Sequence, residues 1–171
     1  RGIRNHQGLI TELRPAALDD LGVGAALEAL ARQASERFGI DVDVDVDLPH
    51  EREGARRLPP ELEATIYRLA QEATNNAIKH ADPRRISVTV GQADDAVEVI
   101  VADDGRGFDT SGTRRSFGLI GMEERVMLSG GNLEIVSEPG KGTEVHAHLP
   151  LEHPQPAPGD AEWPVEDASR S

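Results

Sequence analysis

The chain has 171 residues, 37% hydrophobic and only 3% aromatic, with no cysteine and a net charge of -13. That is room for one ordinary domain with an aliphatic core. It excludes disulfides and thiolate metal sites, and it disfavours nucleic-acid and anionic-membrane surfaces, which need clustered Lys and Arg. No stretch approaches the roughly 20 apolar residues of a membrane span, and no charged-then-apolar leader opens the chain. The absence of cysteine fits a reducing, cytoplasmic setting. The chain starts at Arg1 rather than Met, so it is expected to be cut from a longer protein that a membrane segment can anchor upstream.

Residues 1–13 read as the end of a helix stopped near Pro15. Asp19 and Asp20 then precede an amphipathic helix carrying Leu21, Val23, Leu27, Leu30, Ala34 and Phe38, closed by Gly39. Residues 40–48 alternate Val with Asp, the pattern of a half-buried strand with one wet face. Alternate strand residues stand nearly 7 Å apart and no EF-hand glycine follows, so the Asp row is read as solvated and not as a Ca²⁺ loop. A helix runs from Pro60 to His80, broken by Asp82-Pro83. Residues 86–90 and 97–101 form a hairpin across 91–95. Residues 108–117 are a loop, 119–128 a helix stopped by Gly130-Gly131, and 133–136 with 143–149 a second hairpin. After Leu151 the composition turns acidic and Pro-rich, so 152–171 is read as a disordered tail. This order predicts an α+β, two-layer sandwich: one mixed sheet with helices on one face.

Three stretches carry chemistry. In Glu72-Ala-Thr-Asn-Asn-Ala-Ile-Lys-His80, the residues Glu72, Asn76 and His80 recur every four positions on one helix face, with Asn75 and Lys79 beside it. A helix's polar face is commonly just its wet side. Two successive Asn mid-helix are poor helix formers, however, and a side-chain amide oxygen is a good hard ligand for Mg²⁺. In Asp103-Asp-Gly-Arg-Gly107, Gly105 and Gly107 allow close backbone approach to a flat ligand, and a carboxylate there can accept from an exocyclic amino group. Alone, the same string serves as an Asp-Gly hairpin turn. Gly118-Leu-Ile-Gly121 opens a helix whose backbone N–H groups can bind phosphate oxygens, or is a plain loop-to-helix junction. Gly140-Lys-Gly-Thr143 turns the last hairpin. Thr143, which begins the last strand, either hydrogen-bonds near Asp103 or is an ordinary strand residue after a tight turn, the reading that the string favours alone. The ordered set reads as an ATP site.

The four elements resemble, in order, the N box, G1 box, G2 box and closing element of the GHKL (Bergerat) ATP-binding domain of gyrases, heat-shock chaperones, histidine kinases and mismatch-repair ATPases. The resemblance covers roughly 58–150. The flanks Leu13-Arg-Pro-Ala-Ala-Leu-Asp-Asp-Leu-Gly22, Arg57-Leu-Pro-Pro60 and Met122-Glu-Glu-Arg125 are similar to sensor histidine kinases of the DesK-like type that partner NarL-type response regulators.

That resemblance implies ATP and Mg²⁺ as cofactors and a catalytic set of Glu72, Asn76, Lys79 and His80. Within it, Asn76 is the Mg²⁺ ligand, while Lys79 and His80 face the phosphates. Asp103 reads adenine, Gly105 and Gly107 shape its pocket, and Thr143 supports it. Gly118, Leu119 and Gly121 hold the phosphate end and the lid hinge. Loop 108–117 is the ATP lid, with Arg114 and Arg115 as mobile cations or as plain solvated charges. By the same resemblance, 1–13 ends a dimerisation helix, 14–57 is a linker helix and first strand, 58–151 is the ATP-binding core, and the full-length protein is a homodimer.

These kinases phosphorylate a His in a charged helical box. No such box is present, and His6 lacks the acidic neighbour. The chain is therefore expected to be a histidine protein kinase's catalytic part that labels itself little, passing phosphate to a response regulator through a His outside it. The alternative on the same fold is an anti-sigma-type serine kinase that switches by binding a protein partner. The preceding Leu-Arg-Pro segment speaks against it.

Overall fold

The computed structural model describes residues 16–49, 57–107 and 119–151. The helix and Leu13-Arg-Pro segment expected before residue 16, His6, the lid loop with Arg114 and Arg115, Gly118 and the tail from 152 all lie outside them.

A short helix α1 (Ala16–Leu21) leads into α2 (Val23–Phe38). This departs from the sequence reading, in which Asp19 and Asp20 precede a single helix. Gly22 takes φ 95, outside the right-handed region, and breaks the run between the two. Asp19 and Asp20 are therefore helical, and Leu21 is 72% exposed instead of joining the apolar stripe. Gly39 closes α2 in the left-handed conformation, its N–H donating to the Ser35 carbonyl.

Strand β1 (Asp41–Asp47) follows with its four Asp exposed and its Val half-buried, as the alternation predicts. α3 (Pro60–Asn76) starts with Pro in its first turn and Glu61 and Glu63 at its positive end, both favourable there. It does not stop as a regular α-helix at His80. Its last turn, Ala77–Ala81, widens into a π turn that carries Lys79 and His80, and Asp82 ends it at φ 48. Such turns recur at functional sites because they re-aim side chains without ending the helix.

β2 (Arg85–Ala93) and β3 (Ala96–Asp103) form a hairpin longer than predicted. Gly91 pairs with Glu98 inside the ladder, and Asp94 at φ 55 makes the turn. α4 (Leu119–Leu128), β4 (Asn132–Ser137) and β5 (Thr143–Pro150) complete the described chain.

The sheet order is β1-β2-β3-β5-β4, with β1 parallel to β2 and every other pair antiparallel. It is a mixed sheet in an α+β fold. Ile86, Val88, Val90, Val97, Val99, Val101, Val145, Ala147 and Leu149 alternate onto one face and bury against Leu27, Leu30, Ile66, Leu69, Met122 and Val126 of the helices. The other face is polar. There Glu98 accepts from His146 Nε2 at 2.7 Å and also bonds His148. The antiparallel register sets Asp103 opposite Thr143 at the sheet end where α3 also terminates.

Candidate functional site

The end of β3 is laced to its neighbours by backbone bonds. Asp104 Oδ1 accepts from the N–H of Arg84 at 2.8 Å and of Arg85 at 3.0 Å. The Arg106 N–H donates to the Ala81 carbonyl at 2.8 Å, and the Arg106 carbonyl accepts from Gly140. Segment 104–107 thus joins the tip of α3 to the β4–β5 turn.

The glycines are demanded by these approaches. A Cβ on Gly105 would overlap the carbonyl oxygen and Cβ of Ala81. Gly107, at φ +65, packs against the backbone of Glu138 and Gly142.

Asp103 is half-buried between these segments. Its Oδ1 accepts from the Gly105 N–H at 2.8 Å, and its carboxylate also accepts from the Thr143 backbone N–H. Burial raises its pKa above the ordinary 3.8. The two N–H donors oppose that shift and the Asp104 charge adds to it. Of the two sequence readings of Thr143, a hydrogen bond near Asp103 is the one that forms, and it is made by the backbone. The Thr143 hydroxyl bonds Ser137 Oγ at 2.8 Å, and Ser137 in turn donates to the Gly142 carbonyl at 3.0 Å.

Along α3, Glu72 and Asn76 stand one turn apart on the same face, both half-buried. Glu72 Oε2 and Asn76 Nδ2 are buried and have no hydrogen-bond partner. Lys79 is exposed beside His80 on the π turn. Desolvation lowers the His80 pKa below 6.5, and the cations Lys79 and Arg106 push it the same way. His80 is thus held as a neutral imidazole near pH 7. Leu119 and Gly121 lie in the first turn of α4, and a Cβ on Gly121 would meet Glu72 Oε2 at 3.9 Å, an ordinary contact.

This donor set fits Mg²⁺. Glu72 Oε2, a buried carboxylate oxygen with no partner, is a hard ligand of the kind such a cation takes once or twice while keeping its waters. The orphaned atom of Asn76 is its amide nitrogen, a donor suited to a phosphate oxygen, and its Oδ1 is the atom that would ligate. Among the described residues no group of three or more His, Cys, Asp or Glu could hold a metal by itself, so the cation would depend on water and phosphate oxygens for the rest.

Two residues escaped the sequence reading of the site. Asp104 ties the loop, and Arg125 Nη2 sits 3.1 Å from Glu72 Oε1. Arg125 carried one signal: it shares a helix face with Met122 and Val126, both buried.

A family model described as histidine kinase-, DNA gyrase B-, and HSP90-like ATPase matches residues 61–153. The signal transduction histidine-protein kinase/phosphatase DegS of Bacillus subtilis (strain 168) is 39% identical over 142 residues, which are 81% of this chain and 36% of that protein. The protein of the same name from Brevibacillus brevis is 37% identical over 144 residues, again covering 36% of its length. The chain thus spans about a third of the curated relatives it matches.

Among solved structures, the histidine kinase domain of a blue-light activated histidine kinase from Erythrobacter litoralis EL346 superposes with a TM-score of 0.62 at 26% identity. That match covers 75% of this chain and 61% of the other. The Acinetobacter baumannii histidine kinase AdeS, at 12% identity and TM-score 0.58, covering 75% of this chain and 64% of its own, shares the fold. No helix among the described residues is long and apolar enough to cross a membrane. With its motifs in order and more than half its length matched, the chain belongs to the histidine kinase-, DNA gyrase B- and HSP90-like ATPase family.

Proposed function

We propose that this chain is the ATP-binding catalytic part of a two-component sensor histidine kinase. It would place the γ-phosphate of Mg-ATP against a His on an upstream dimerisation helix, and a response regulator of the NarL type would then take the phosphate. The observation that carries the reading is the pair of buried, unpartnered atoms on Glu72 and Asn76 beside the glycine-opened start of α4, with the half-buried Asp103 at the end of β3. The similarity to DegS supports the acceptor class.

In this reading Asp103 accepts from the adenine amino group, and Gly105 and Gly107 leave room for the flat base. Thr143 holds the Asp103 carboxylate by its backbone N–H. Lys79 and neutral His80 meet the phosphates, Asn76 with Glu72 holds the cation, and Gly118, Leu119 and Gly121 offer the helix start to the phosphate tail. When bound, Mg²⁺ would supply positive charge that offsets the charge of the phosphates. The transfer breaks the bond from γ-phosphorus to the bridging oxygen, forms a phosphorus–nitrogen bond to the acceptor imidazole, and releases ADP. The protein's share is positioning and charge neutralisation.

Residues 1–13 would end the dimerisation helix of a homodimer, 14–57 would link it to the core at 58–151, and the setting would be cytoplasmic.

The test is direct. The chain should bind a fluorescent ATP analogue with Mg²⁺, take up little label from [γ-³²P]ATP, and label a separately supplied dimerisation helix in an acid-labile form. Failure to bind nucleotide would refute the reading. Acid-stable label on a serine substrate would favour the anti-sigma class of kinase instead.

A further inference from the structure

Glu72 and Arg125 are 53 positions apart, yet their side chains meet. Arg125 Nη2 donates to Glu72 Oε1 at 3.1 Å, joining α3 to α4. Both partners keep a buried atom unpaired: Oε2 of Glu72 and Nε of Arg125. Folded proteins leave few such atoms, because each carries the desolvation penalty of a lost hydrogen bond. An ion pair present only to join two helices gives no reason for the two orphaned atoms. A carboxylate held by one oxygen so that the other is kept for a ligand accounts for the orphaned Oε2.

The surroundings fix the geometry. Met122 and Val126 are fully buried and seat α4 on the core, so Arg125 between them moves only with α4. Glu72 Oε2 looks toward the first turn of α4, 3.9 Å from where a Gly121 Cβ would stand, and Asn76 follows one turn along α3. Without the guanidinium, a half-exposed Glu side chain has several rotamers in reach of water.

We infer that Arg125 is the positioning residue of the cation end of the site. It fixes the Glu72 carboxylate so that Oε2 is preset as a ligand for the Mg²⁺ of the nucleotide, one turn along α3 from Asn76. The inference rests on the proposed reading of the site as one for Mg-ATP. It adds that the order of the metal site depends on the seating of α4, the helix that directly follows residues 108–118. Arg125 touches neither nucleotide nor metal in this account.

The experiment titrates the 171-residue chain with a fluorescent ATP analogue in excess Mg²⁺ and again in EDTA, with circular dichroism as the check on folding. The ratio of the two affinities is the readout. Arg125→Met should cut that ratio by about fivefold or more, the range of coupling between contacting residues, while leaving the EDTA affinity within about twofold. Arg125→Lys should restore part of it. The double variant Glu72→Gln with Arg125→Met should be no worse than Glu72→Gln alone. Where Arg125→Met fails to fold, the Lys variant and the Glu72→Gln variant supply the same comparison.

Equal weakening with and without Mg²⁺, or no change in the ratio, would overturn the positioning role and leave nucleotide binding standing. A wild-type chain that binds no nucleotide in either medium would overturn both readings.

Discussion

Asp103 and Asp104 are neighbours whose carboxylates face different backbones. Asp104 Oδ1 binds back across the sheet end to the N–H groups of Arg84 and Arg85, and its pKa is lowered by those donors. Asp103 turns inward, bonded to Gly105 and Thr143, and its pKa is raised by burial. One residue ties the loop to the sheet end, and the other is half-buried between the loop and β5. Asp103→Asn keeps an oxygen for the Gly105 N–H, removes the charge and exchanges the second acceptor oxygen for an NH2 donor. It should leave the melting temperature close to wild type and weaken ATP-analogue binding by at least about tenfold, the worth of a charge-assisted bond at roughly 1.5–3 kcal/mol. Asp104→Asn should do the reverse, lowering the melting temperature with a smaller effect on affinity. Scanning calorimetry and fluorescence titration of the two variants check the split.

The two site glycines should part company in the same way. At Gly105 an added methyl runs into the Ala81 carbonyl, backbone that cannot step aside. Gly105→Ala should cost about 1–3 kcal/mol of stability, as overpacking does, and should displace the 104–107 loop, which carries the proposed adenine site. At Gly121 the methyl finds ordinary contact inside a helix, so Gly121→Ala should hold stability or raise it by up to about 1 kcal/mol. A drop in ATP affinity without a drop in stability at Gly121 would mark a glycine kept for the phosphates. Urea denaturation beside nucleotide titration separates the outcomes.

His80 makes stability depend on pH. Desolvation, then Lys79 and Arg106, hold its folded pKa below the ordinary 6.5. Between those two values the unfolded chain binds more protons than the folded one, so stability rises with pH through that window. Read downward, the chain should lose stability as pH falls below 6.5, until the folded-state pKa is passed. His80→Gln removes this component. The fall in melting temperature from about pH 8 to about pH 5.5 should therefore be smaller in the variant than in wild type. Equal falls would show that His80 does not carry the effect. Asp103, whose pKa is raised, contributes with the opposite sign and lower on the scale, from 3.8 upward.

What could be read in advance follows from the range of the forces involved. The Val–Asp alternation of β1 and the three- and four-residue spacing in α3 are local patterns set by backbone period, and both elements form where that period puts them. The glycine and aspartate strings marked the chain ends that meet at the site, because close backbone approach needs those residue types. The break at Gly22 stayed hidden, since Leu21 and Val23 keep an apolar rhythm across it and only the backbone angle shows the turn. The π turn at Ala77–Ala81 left no local mark either. Arg125 meeting Glu72 needs α4 seated on α3, a tertiary fact: its spacing with Met122 and Val126 places it on the buried side of α4 but does not name its partner. The parallel pairing of β1 with β2 is similar: alternation tells which face of a strand is buried and not which strand lies beside it.

Arg57 shows the same limit and supplies the last test. Its guanidinium grips Glu63 at 3.0 Å while donating to the carbonyls of Leu18 and Asp19, so it satisfies the end of α1 and fastens it to the first turns of α3. The Glu63 side chain is only 3% exposed, whereas that of Arg57 is 42% exposed. Removing the arginine therefore takes the ion-pair partner from a buried carboxylate, and the partial exposure of the pair moves the cost toward the low end of the buried range. Arg57→Ala should destabilise the chain by about 3 kcal/mol. Replacing both partners by Met removes the buried charge and should recover much of that loss, because apolar pairs of similar volume substitute well for buried ions. Chemical denaturation of the single and double variants decides it. A double variant as unstable as Arg57→Ala would mean that the carbonyl contacts to α1, and not the ion pair, hold the two helices together.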